Sequence, residues 1–156
     1  MIALIISILG YIASAAGLFL GFYFYFGEDI YTAVRYVSLI AVGIVGILAF
    51  IRHVIFHKAD AKRLGMESAN PDWQFEVGFA NLAIGVTAIL VNFLNWGNGA
   101  TPALILIYAI YLLCASILHF CRSFNKGKMN VARFLRGGVL TLLFSLMLFF
   151  FVSITL

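Results

Sequence analysis

The sequence predicts an all-α fold: a polytopic transmembrane bundle of five helices, forming one domain over residues 1–156. Two observations carry this prediction. Hydrophobic residues make up 64% of the chain and charged residues 10%, where an ordinary soluble domain has roughly 25% charged residues. Charge is also absent from four long stretches, residues 1–27, 36–51, 77–121 and 137–156. A water-soluble fold of this size cannot cover so much uncharged surface, which excludes a soluble enzyme and a disordered chain. The net charge of +4 does not point to nucleic acid either. Lys and Arg cluster beside the ends of apolar stretches, where they orient helices and meet anionic lipid. The partner these features imply is the lipid bilayer, with no nucleic acid.

The first span covers residues 2–26, long enough to cross a bilayer alone. It lacks a basic leading segment, and its apolar run continues through Leu18-Phe19-Leu20 beyond the small Ala13-Ser14-Ala15. It therefore reads as a retained helix and not as a cleaved signal. The second span lies between Arg35 and Arg52, whose sixteen intervening residues rise only about 24 Å as a helix. Both arginines can snorkel, which extends the span to residues 31–56. The long stretch 77–121 is broken by a turn cluster from Asn95 to Pro102, giving a third span over 73–94 and a fourth over 102–121. Pro102 suits the first turn of that fourth helix. The fifth span covers 131–156.

Orientation follows from the basic residues. Arg35 stands on one side, beside Glu28 and Asp29, and the other nine Lys and Arg stand on the opposite side, within 52–72 and 122–136. The positive-inside rule then places the N-terminus in the cytoplasm and the C-terminus outside.

The first helix carries small residues at Ser7, Gly10, Ser14, Gly17 and Gly21, in steps of three and four that keep them on one face. Such a stripe predicts close helix packing, within the chain or along a seam to a second copy or a membrane-complex partner. Gly78, Asn81, Gly85, Ala88 and Asn92 form a similar face on the third span.

Three titratable residues fall at one depth near the basic boundary: His53, Glu76 and His119. An ionisable group within a span is a functional-site candidate by default. Together they predict a polar cluster in which Glu76 exchanges a proton or cation and the histidines tune it. The structural alternative pairs Glu76 with Arg52 or Arg122 and turns the histidines to headgroups. Two histidines and a carboxylate are also candidate ligands for a transition metal, and two histidines on different helices for a haem. Asn81 follows Glu76 by five residues, about 140° further around the helix, and so reads as a positioning residue with a different neighbour. No catalytic triad or phosphate-binding glycine loop appears, so the chain does not read as an enzyme.

The segments Phe50-Ile51-Arg52-His53-Val54-Ile55-Phe56, Ala61-Lys62-Arg63-Leu64-Gly65-Met66 and Gln74-Phe75-Glu76-Val77-Gly78-Phe79-Ala80-Asn81-Leu82 resemble an uncharacterised family of small bacterial and archaeal integral membrane proteins. The resemblance covers about residues 40–135 and is most specific from Gln74 to Asn81. It implies that His53, Glu76, Asn81 and His119 are motif positions, and it implies no substrate. Three functions fit these residues: transport or permeation through the polar cluster, a haem- or metal-binding redox protein, and an accessory subunit docked through its small-residue faces.

Overall fold

The computed structural model describes residues 1–64, 70–94, 96–97, 99–125 and 128–156. The turn residues Asn95 and Asn98 and the basic Lys126 lie outside the described residues. Among the described residues five helices are long and apolar enough to cross a membrane: α1 (Ile2–Phe26), α2 (Ile30–Ile55), α4 (Asp72–Leu94), α5 (Ala100–Ser123) and α6 (Phe134–Ser153). A sixth, shorter helix, α3 (His57–Leu64), is amphipathic and continues from α2 at the basic end. In lipid each backbone N–H and C=O needs an internal partner, and a helix supplies one for nearly all of them.

Local chemistry sets several boundaries. The Asp29 carboxylate accepts from the Thr32 amide and caps the start of α2. Asn130 likewise accepts from the Arg133 amide, starting the turn Val131–Arg133 that leads into α6. A two-residue antiparallel ladder, Phe124–Asn125 with Lys128–Met129, joins α5 to that turn. Three segments are wound as π-helix: Val37–Ile44 and Ile51–Ile55 in α2, and Phe134–Val139 in α6. Such wide turns recur at functional positions because they redirect side chains.

α2 is the central helix. On one side it meets α1, where a Cβ placed on Gly17 would lie 2.7 Å from the Ala41 backbone nitrogen. On another side it crosses α4 backbone to backbone. A Cβ on Gly46 would lie 2.7 Å from the Asn81 carbonyl, and one on Gly85 would lie 2.9 Å from the Gly43 carbonyl. Only hydrogen in place of a side chain permits that approach, and lipid offers no competing hydrophobic drive between helices. The contact is fixed by the Asn92 amide, which donates to Ser38 Oγ at 3.1 Å. α6 docks on α5, where Ser145 Oγ donates to the Ala109 carbonyl at 2.7 Å.

The expected stripe on α1 divides in two. Gly17 and Gly21 lie against α2 and Phe151, but a Cβ on Gly10 would meet nothing within 4 Å. Gly10 is therefore not a packing residue, because no helix lies opposite it. The packed core is also one-sided. Val37, Val42, Ile105, Tyr108, Leu148 and Phe151 fill the half of the bundle away from the basic end. Cys114 and Cys121 are exposed and free, not buried as small core residues.

Gly17→Leu should lower stability by about 1–3 kcal/mol through overpacking. Gly10→Ala should be neutral or stabilising by up to about 1 kcal/mol, since it has space and restricts the unfolded chain. Thermal melts of the detergent-solubilised variants measure both, and equal melting temperatures would refute the division of the stripe.

Candidate functional site

The basic half of the bundle encloses a chamber of about 870 Å³ between α1, α2, α4, α5 and α6. Its mouth carries Arg52, Lys62, Arg63, Arg122, Arg133 and Arg136, and none of the described residues lining it is acidic. Its deeper wall carries Asn81, Tyr108 and Tyr111. A second hollow of about 500 Å³ opens at the opposite end, lined by Tyr31, Arg35, Asn92 and Trp96. The packed core separates the two.

The structure brings His53 and His119 to this one chamber. It does not bring Glu76 there. Glu76 is exposed and absent from the lining, so the three residues do not share a site. The carboxylate that meets His53 is Asp60, on α3, with no solvent exposure at all. Asp60 Oδ2 lies 3.0 Å from His53 Nδ1 and 3.6 Å from Arg52 Nε, and Oδ1 accepts from Arg63 Nη2 at 2.8 Å. The histidine contact is short but bent, so neither Oδ2 nor Nδ1 completes a well-aligned hydrogen bond. Arg52 Nη2 reaches His53 Nε2 at 2.8 Å, and Arg52 Nη1 donates to Ser7 Oγ on α1 at 3.3 Å. Since a guanidinium only donates, Nε2 accepts and the ring hydrogen sits on Nδ1, facing Asp60.

Burial alone would raise the Asp60 carboxyl. The His53 ring and the guanidiniums of Arg52 and Arg63 outweigh it and hold the group below the ordinary carboxylate range. This residue was hidden in the sequence by its basic neighbours Lys58, Lys62 and Arg63, which read together as a solvated segment. The available signal was spacing: Asp60 follows His53 by seven residues, two helical turns on one face.

His119 sits on the chamber wall against Gly137, where a Cβ would come within 2.6 Å of the ring. The glycine is thus the floor on which the imidazole rests. Asn81 is buried and donates to the Val77 carbonyl at 2.7 Å and to Tyr111 Oη at 2.9 Å, fixing a phenol of α5 at the chamber wall.

The metal candidates do not form a ligand set. Among the described residues no three His, Cys, Asp or Glu side chains come together. Both ring nitrogens of His53 already face protein partners, which leaves no lone pair for a metal or a haem iron.

A family model, the family of unknown function DUF6790, matches residues 1–155, and the chain belongs to that family. No curated protein and no solved structure matches it.

Asp60→Ala should cost about 3 kcal/mol, the lower end for breaking a buried ion pair, because it strands Arg52 and Arg63. The wild-type carboxylate contributes its stability above its unfolded value near 3.8. That contribution is lost as pH falls below 3.8 through the depressed native value. Acid unfolding of wild type should therefore show a loss that Asp60→Asn lacks, and parallel acid curves would refute the assignment.

Proposed function

We propose that this member of the family is a small integral membrane protein of the transport type, with the chamber as its substrate site and an anion as the charge it selects. The observation that supports this most is the lining: six cationic side chains and two histidines without an acidic residue among those described. In low-dielectric walls such an array focuses a positive potential and concentrates anions. A cation or proton site built on Glu76 loses its support, since that residue lies outside the chamber. Asp60 does not replace it, because its oxygens are engaged by Arg63, Arg52 and His53.

The packed layer around Tyr108, Ile105 and Phe151 acts as the barrier between the two hollows. The π-helical turns at Ile51–Ile55 and Phe134–Val139 both border the mouth and are the points where the helices can re-register. The positive-inside rule orients the basic end to the cytoplasm, so the chamber opens inward. The histidines stand on its wall, and Asn81 positions Tyr111.

Two measurements test this. With Cys114 and Cys121 replaced by Ser, a membrane-impermeant thiol reagent added to intact cells should label Leu156→Cys and not Lys58→Cys. The reverse pattern would overturn the orientation. Inorganic phosphate should raise the melting temperature of the purified protein, and the double variant Lys62→Gln/Arg122→Gln should remove that shift. A shift produced by divalent cations and not by phosphate would overturn the anion selection.

A further inference from the structure

The chamber narrows from a charged mouth into an apolar cleft, and the cleft opens sideways. Below the basic rim the lining becomes Leu18, Leu48, Leu112, Leu143, Phe144 and Met147. α1 and α6, which border it, meet at the end away from the basic residues. There the Phe22 ring meets Phe151 at a tilt and stacks on Phe150, at centroid distances of 4.9 and 5.4 Å, and Gly21 lies against Phe151. Elsewhere the two helices make little contact. Toward the basic end they diverge, which is why Gly10 faces open space and why Tyr11, Leu140 and Leu143 are exposed.

We infer that the occupant of the chamber is an amphiphile drawn from the bilayer, with a phosphate-type head at the Lys62 and Arg122 mouth and its hydrocarbon chain in the α1–α6 cleft. This rests on the anion reading above and adds the substrate class. A small inorganic anion makes no use of the apolar cleft, whereas a single chain fills it as it leads out into the hydrocarbon. The chain enters laterally between α1 and α6 and so never leaves the hydrocarbon. The head remains at the height of its own leaflet, where basic pockets between helices bind lipid headgroups. A multiply charged head is favoured over a carboxylate because the mouth presents cations from α3 and α5 at once. The Arg122 guanidinium matches the phosphate oxygens in geometry.

The full chain, purified in neutral maltoside with Trp96→Phe, reports on the chamber through Trp73, which lines it. Three probes are titrated: dodecyl phosphate, inorganic phosphate and uncharged dodecylglycerol. Dodecyl phosphate should bind at least tenfold more tightly than either of the others. Gly10→Phe, which places a ring in the open cleft, should weaken dodecyl phosphate at least tenfold and leave inorganic phosphate unchanged. Ala15→Phe, on the same wall, is the second variant should the first melt early. Lys62→Gln/Arg122→Gln should weaken both phosphates. Equal affinity for inorganic and dodecyl phosphate would overturn the chain-binding cleft and leave the anion reading standing. Equal affinity for dodecylglycerol and dodecyl phosphate would overturn the head and the anion reading together. Tight dodecyl phosphate binding that neither aromatic variant weakens would overturn the placement of the chain. No binding of any probe would overturn both readings.

Discussion

A carboxylate without solvent exposure, Asp60, holds the basic end of the molecule together. A lone buried charge is costly, and it persists only with charged partners and hydrogen bonds around it. Asp60 has these from three side chains, one on its own helix and two on α2, of which Arg52 also reaches α1. Arg63 is on its own helix α3, His53 is on the last turn of α2, and Arg52 reaches from α2 to Ser7 on α1. The Gln74 amide adds a fourth link, donating to the His57 carbonyl at 3.2 Å from the start of α4. The short helix α3 is thereby clamped under α1, α2 and α4. Its amphipathic character follows from this position, between the apolar bundle and the boundary.

The clamp allows the basic half to stay open. In the other half the helices are held by contact: Gly17 on Ala41, Gly46 on Gly85, Phe22 on Phe151. There dispersion and small residues suffice, because close packing is the main source of helix association in lipid. Near the basic end the side chains do not fill the space, and the helix positions are set by polar links instead. The Arg52–Ser7 bond ties α1 to α2, and the Asn81–Tyr111 bond ties α4 to α5. A framework of this kind keeps a chamber without collapsing it, as a core of interlocked leucines would not.

The five spans were legible in the sequence because the bilayer is a simple solvent. Uncharged length, the run of turn-forming residues from Asn95 to Pro102 and the Lys/Arg asymmetry are one-dimensional signals. Residues 2–26 and 73–94 correspond within a residue to Ile2–Phe26 and Asp72–Leu94. The fifth helix, expected from 131 to the end, has its long apolar part at Phe134–Ser153, since Val131–Arg133 is a separate turn. The site was less legible because it depends on helix phase as well as depth. The expectation grouped His53, Glu76 and His119 by depth alone. But Glu76 is about 140° from Asn81 around α4, and it is Asn81, with Gly78 and Gly85, that faces the bundle. The phase was present in the sequence and already turns Glu76 outward. Asp60 was missed for a different reason. A charge within a basic segment reads as solvated unless its partner two turns earlier is considered with it.

The charge balance at the mouth links the clamp to the chamber. Asp60 carries one negative charge and meets two guanidiniums, so the clamp itself remains positive by one. Lys62 and Arg122 add to that along the chamber rim. Positive charge held against a low-dielectric wall is stabilised by anions, and the nearest anions in quantity are the phosphates of the surrounding leaflet. Their chains are already in the hydrocarbon that borders the opening between α1 and α6. In the proposed reading, a headgroup that moves to the mouth gains the potential of the rim without taking its chain through water. The residue expected to attract a cation, Glu76, stands outside the chamber, where it contributes nothing to the potential inside beyond a screened, distant field.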